Sequence, residues 1–191
     1  MGQLIFILGG VRSGKSSYAE KIAREQGGDD VLYVATAEVK DDEMQDRAEK
    51  HRTSRPSTWR TLEAPYKVGE RIKENVADSK IILVDCITML VANHLLGAAG
   101  PKDDPFGDPS ADPFNPAIEA AIIEEAKALA ACAHDGDADM LVVSNEVGMG
   151  VVPAYDLGRA YRDMLGRANQ ELARHADQVY LLVAGLPMKV K

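Results

Sequence analysis

The sequence predicts an α/β fold, a mostly parallel sheet with helices on both faces. Three observations predict it. Short apolar runs alternate with stretches of helical periodicity along the chain. The first of those runs leads straight into a glycine-rich turn and then a helical pattern. No internal repeat or composition shift divides the 191 residues, and 46% hydrophobic content suits a single domain, 1–191, with a substantial core.

The elements follow in order. Leu4–Leu8 is the first strand and residues 16–26 the first helix. Residues 31–36, Val-Leu-Tyr-Val-Ala-Thr, form the second strand. Asp41–Arg52 reads as a helix, with Asp41, Asp42 and Glu43 favouring its positive amino end. Thr58–Leu62 reads as a short strand and Tyr66–Val76 as a helix. Ile81–Asp85 is a third apolar strand, followed by a helix through about Leu96. Met140–Ser144 and Val179–Val183 are further strands, separated by a long helix over roughly 156–175. Residues 100–116 break this rhythm with five of the nine prolines and four aspartates. They read as a flexible surface loop between two helices, either a tolerated insertion or a substrate lid.

The turn after the first strand carries the chemistry. Gly9-Gly10-Val11-Arg12-Ser13-Gly14-Lys15-Ser16 is G-x-x-x-x-G-K-S, placed between strand and helix as a phosphate-binding loop requires. Its glycines let backbone N–H groups converge on a phosphate chain, and the positive end of the next helix adds to that field. Lys15 would reach the β- and γ-phosphates of a nucleoside triphosphate, and the Ser16 hydroxyl would ligate Mg²⁺. Asp85, closing an apolar strand, is the expected carboxylate partner for Mg²⁺. The fold class is therefore that of a P-loop NTPase, RecA-like.

Composition narrows the remaining options. A net charge of −8 argues against a broad nucleic-acid surface. No apolar run approaches the ~18 residues of a membrane span, and the amino terminus enters a strand rather than a cleavable leader, so a cytoplasmic protein is expected. Cys86 and Cys132 follow no metal-ligand spacing and read as buried thiols.

Arg47, Lys50, His51, Arg52, Arg55 and Arg60 make a locally basic stretch in an acidic chain. It reads either as a solvated face or as a ligand-binding segment near the carboxyl edge of the sheet. His51 within it could act as nucleophile or acid–base group. His94, His134 and His175 have weaker claims, since each sits in or near a helix with an ordinary structural use. Residues 144–153 follow a strand with two glycines and a proline, which places Asn145 and Glu146 either against a substrate or in a plain strand-to-helix connection.

Taken together, several segments resemble a known family. They are the phosphate loop, Tyr33-Val34-Ala35-Thr36-Ala37, Asp41-Asp42-Glu43-Met44, His51-Arg52, Trp59-Arg60-Thr61-Leu62-Glu63 and Ser144 to Gly150, in that order. The sequence is similar to the bifunctional adenosylcobinamide kinase/adenosylcobinamide-phosphate guanylyltransferases of cobalamin biosynthesis. The resemblance implies that adenosylcobinamide is phosphorylated by ATP or GTP. It further implies that a histidine takes GMP from GTP and passes it to adenosylcobinamide phosphate. His51 occupies the nucleophile position, and Lys15 serves the phosphoryl step. The implied nucleotide set is Gly9, Gly10, Val11, Arg12, Ser13, Gly14, Lys15, Ser16, Val34, Ala35, Thr36, Arg52, Thr53, Ser54, Arg55, Glu63 and Asp85, with Mg²⁺ on Ser16 and Asp85. A homotrimer is also implied. Residues 100–116 look longer than the family pattern, and Asp85 stands where relatives can carry Glu, one methylene longer. Two other readings use the phosphate loop alone: a single-activity small-molecule kinase, and a nucleotide-dependent assembly or switch protein.

Overall fold

The apolar runs of the sequence become the interior strands of one sheet in a computed structural model that describes residues 1–38, 55–98 and 112–191. In chain order the elements are β1 Leu4–Gly9, α1 Lys15–Gly27, β2 Val31–Ala35, β3 Arg60–Glu63, α2 Val68–Asn75, β4 Ile81–Asp85 and α3 Ile87–Ala98. They continue with α4 Pro116–Asp135, β5 Asp139–Asn145, α5 Asp156–His175, β6 Gln178–Val183 and β7 Leu186–Lys189. The seven strands lie in the order β3-β2-β4-β5-β1-β6-β7, with every pairing parallel except β6 with β7. The expected mostly parallel sheet is present. β5 is inserted between the strand entering the phosphate loop and the strand ending in Asp85.

The strands alternate their burial between two cores. Leu4, Phe6, Leu32, Val34, Ile82, Val84, Met140 and Val142 face a cluster completed by α2, α3, α4 and α5. Ile5, Ile7, Val31, Tyr33, Ile81, Leu83, Leu141 and Val143 face the other side, where Ala19 and Ala23 of α1 cover them. Each fully buried aliphatic or aromatic side chain contributes about 1.5–3 kcal/mol. The centre of the sheet is thus a rigid platform, and all the parallel strands end at one edge.

Three details depart from the sequence reading. The short strand begins at Arg60, not Thr58, because Thr58 and Trp59 are spent on anchoring: Trp59 Nε1–H donates to the Gly28 carbonyl at 2.9 Å, and the Thr58 hydroxyl to Asp29 at 2.8 Å. Pro116, assigned to the loop 100–116, is the first residue of α4, where its missing N–H costs nothing; the Asn115 side chain caps the helix by accepting from Ala117 N–H at 2.9 Å. Residues 100–111 of that loop, and the Asp41–Arg52 segment, lie outside the described residues. The strand β7 was not expected at all; it pairs back on β6 through a turn in which Ala184 and Gly185 both have positive φ.

Helix α2 shows how distant elements are tied together. Its N-cap, Lys67, offers no capping side chain. The carboxylate of Glu125 in α4 accepts instead from the N–H groups of Lys67 and Val68. Burial pushes that carboxyl up. His94, 3.6 Å away, and the two backbone donors outweigh burial and hold it below its ordinary value. His94 and Glu125 are thus structural, and so is His175, which faces Glu171 at 3.2 Å. No described helix is long and apolar enough to cross a membrane.

Candidate active site

The phosphate loop leaves the end of β1 and turns back into α1 within a few residues. Gly9 has no room for a side chain: a Cβ there would meet Ser13 Oγ at 2.4 Å and the Leu182 carbonyl at 2.9 Å. Gly14 holds φ +92° beside Gly185, a backbone region that favours glycine. The Gly185 N–H donates to the Ser13 carbonyl at 2.8 Å, so the β6–β7 turn braces the loop from behind. Gly14 is also the N-cap of α1 and has no side chain to satisfy the first helical N–H groups. Those donors, at the positive end of a helix, suit an anion. Val11 and Arg12 form the exposed outer rim of the loop, with Arg12 at φ 58°.

Lys15 folds over the loop and donates to the Gly10 carbonyl at 3.2 Å. Burial draws its ammonium below the ordinary value of 10.5, while Cys86 and Asp85 pull the other way. A triphosphate arriving there would supply the counter-charge the half-buried cation lacks. Ser16 follows in the first turn of α1.

Asp85 ends β4 on the same edge, and the Tyr33 hydroxyl donates to its Oδ2 at 3.1 Å. Burial above all, and then the Asp85 charge, push the Tyr33 phenol far up, so it stays a donor. The Arg55 guanidinium stacks over the Tyr33 ring at 3.5 Å from its centroid. Arg55 and Asp85, expected separately, are therefore joined through Tyr33, a residue to which the sequence reading gave no role of its own. Burial pushes the adjacent Cys86 thiol up to about 12, which makes it a poor nucleophile.

The remaining expected residues divide. Val34 is wholly buried in the core and paired on both sides by β3 and β4. Thr36 is equally buried; its hydroxyl donates to the Cys86 carbonyl at 2.6 Å and accepts from the Cys86 N–H at 2.8 Å. The Thr36 carbonyl accepts from Asn93 Nδ2 at 2.7 Å, so this threonine locks β2 to the start of α3. The Ala35 carbonyl accepts from Ala64 N–H at 2.8 Å. Glu63 is exposed at the end of the outermost strand, in register with Ala35. Four strand spacings separate it from β1, about 19 Å. That separation keeps it away from Lys15 and the phosphate loop. His51, Arg52, Thr53 and Ser54 lie outside the described residues.

The segment after β5 borders the loop from the other side. Glu146 N–H donates to the Gly9 carbonyl at 3.0 Å, and the Glu146 carboxylate turns back to accept from Gly148 N–H at 2.6 Å. Beyond it Met149, Val151, Val152 and Tyr155 are exposed.

A loop built for a triphosphate, faced by one carboxylate, is a site many nucleotide enzymes share. What distinguishes this chain is its match to a single family profile over residues 5–190, described as "Cobinamide kinase / cobinamide phosphate guanyltransferase". The chain belongs to that family. Three curated relatives agree. The bifunctional adenosylcobalamin biosynthesis proteins CobU of Escherichia coli (strain K12) and of Salmonella typhimurium are each 40% identical over 188 residues, 98% of this chain and 99% of theirs. The corresponding protein CobP of Pseudomonas aeruginosa is 39% identical over 185 residues, 97% of this chain and 95% of its own. The family match takes in the phosphate loop, Asp85, the segment after β5 and the unexpected β7 alike.

Proposed function

We propose that this protein carries out both family reactions, in the cytoplasm, with one phosphate loop serving each. In the first, the hydroxyl oxygen of adenosylcobinamide bonds to the γ-phosphorus of ATP or GTP as the bond to the β–γ bridging oxygen breaks. The loop N–H groups and Lys15 stabilise the charge that moves onto the leaving diphosphate. In the second, a neutral imidazole nitrogen of His51 attacks the α-phosphorus of GTP and releases pyrophosphate. Adenosylcobinamide phosphate then displaces His51 from the GMP to give adenosylcobinamide-GDP. The observation that carries the reading is the braced loop with Lys15 set opposite Asp85, in a chain matched over residues 5–190 to that family.

Ser16 and Asp85 are the residues that would hold Mg²⁺. One hydroxyl and one carboxylate make a sparse set, and no group of three His, Cys, Asp or Glu fit for a metal occurs among the described residues. That suits an ion that arrives with the nucleotide and takes its other oxygens from phosphate and water. When bound it would neutralise the triphosphate charge. Tyr33 fixes the orientation of the Asp85 carboxylate for that purpose. Glu63 and the segment carrying His51 would meet parts of the nucleotide away from the γ-phosphate, since attack at α and at γ needs nucleophiles in different lines.

Incubation with adenosylcobinamide, GTP and Mg²⁺, followed by mass spectrometry, tests the reading. Adenosylcobinamide phosphate should appear first and its GDP conjugate second. Accumulation of the phosphate alone would favour the single-activity kinase, and neither product would overturn the assignment.

The homotrimer is also part of this proposal. Val183, Leu186, Met188 and Val190 are exposed along the β6–β7 hairpin at the sheet's edge, an apolar strip that suits coverage by another subunit. Light scattering should return three times the 20.6 kDa chain mass, and a monomer at working concentration would refute the trimer.

A further inference from the structure

The end of β5 holds a polar side chain that neither reaction above employs. Asn145 is in register with Gly9 on one neighbouring strand, while Asp85 on the other is in register with Val143. Asn145 therefore lies between the two halves of the phosphate site, about 5 Å from the backbone of Gly9 by strand spacing. It is fixed through its main chain. Its N–H donates to Thr88 Oγ1 and its carbonyl accepts from Asn169 Nδ2, both at 3.0 Å. Asn169 is buried and in turn accepts from the buried Ser144 hydroxyl at 2.7 Å. The carboxamide takes no part in this scaffold. Its Oδ1 is buried and has no hydrogen-bond partner among the described residues. An unmet buried acceptor is rare in a folded protein.

An acceptor in this position cannot serve the triphosphate, whose oxygens are acceptors too. It suits an O–H. We propose that Asn145 Oδ1 accepts a hydrogen bond from the attacking hydroxyl of the alcohol substrate and aims that oxygen at the γ-phosphorus. The inference rests on the kinase reading. As the oxygen–phosphorus bond forms and the nucleoside diphosphate leaves, the hydroxyl proton passes to solvent. Asn145 stays neutral throughout, so it acts by orientation. Capture of the α-phosphate by an imidazole nitrogen presents no O–H, so Asn145 has no role there.

Asn145→Ala removes the carboxamide and leaves the main-chain bonds that hold the segment. Phosphorylation of adenosylcobinamide should fall on the order of 100-fold in kcat, the cost of a misaimed nucleophile. More phosphate should be lost to water per corrinoid phosphorylated. Covalent loading of GMP from GTP, and the melting temperature, should stay at wild-type values. Wild-type kcat in the variant would overturn the proposal. So would a parallel loss of GMP loading, which would mark a structural or metal-positioning role. Wild-type protein that forms no phosphorylated corrinoid overturns the kinase reading and this proposal with it.

Discussion

Lys15→Ala stops both chemistries together, lowering phosphorylation of adenosylcobinamide on the order of 100- to 1,000-fold and covalent GMP loading alongside it. The reason lies in what the loop has without a ligand. Lys15 is the cation folded into it, half buried, donating to the Gly10 carbonyl. Burial weakens its hold on a proton, and the neighbouring Cys86 and Asp85 only partly restore it. A triphosphate would complete that environment, and the charge developing on its bridging oxygens is where the ammonium acts. Since either reaction moves negative charge onto a leaving phosphate chain, neither escapes the loss. The fold should. The Gly10 bond is a loop contact, and the brace from Gly185 to Ser13 is independent of the lysine. Steady-state rates of corrinoid phosphorylation, GMP loading from GTP and a melting curve on the same variant make the check. Loss of one reaction with the other intact would mean that the two use different phosphate sites.

The parts of this molecule legible in the sequence are those whose signal is local. The phosphate loop shows because strand, glycines, Lys15, Ser16 and helix are contiguous. The interior strands show because burial on both faces makes an unbroken apolar run. β7 did not show, since Leu186-Pro187-Met188-Lys189 is short, exposed and carries a proline, which only an edge strand tolerates. Pro116 was legible but misread: Asn115-Pro116 followed by Glu119 is a helix start, masked by the proline-rich stretch before it. The partners of Val34 and Thr36 illustrate a deeper limit. A residue near a strand's carboxyl end can face a ligand or the core, and only the third dimension decides. Here Thr36 spends its hydroxyl on Cys86, 50 residues away. Tyr33 bridges to Asp85 over 52 residues, and the seat of Asn145 is built by Thr88 and Asn169, 57 and 24 residues distant. Such contacts follow from strand order, which periodicity does not reveal.

His51→Ala should separate the two reactions that Lys15→Ala removes together. The imidazole is suited to the second alone. It attacks phosphorus when neutral and leaves readily once protonated, which a carboxylate or hydroxyl at neutral pH does not combine. Phosphorylation of adenosylcobinamide uses the substrate's own hydroxyl and needs no protein nucleophile. The variant should therefore keep its kinase rate and form no covalent GMP, halting the pathway at adenosylcobinamide phosphate. The decisive measurement is incubation of wild type and His51→Ala with GTP labelled in the α-phosphate and Mg²⁺, followed by separation of protein from free nucleotide. Acid-labile, alkali-stable label on the wild type and none on the variant, with the variant still phosphorylating adenosylcobinamide, is the predicted result. Label persisting on the variant, or absent from a wild type that still makes adenosylcobinamide-GDP, would contradict the account.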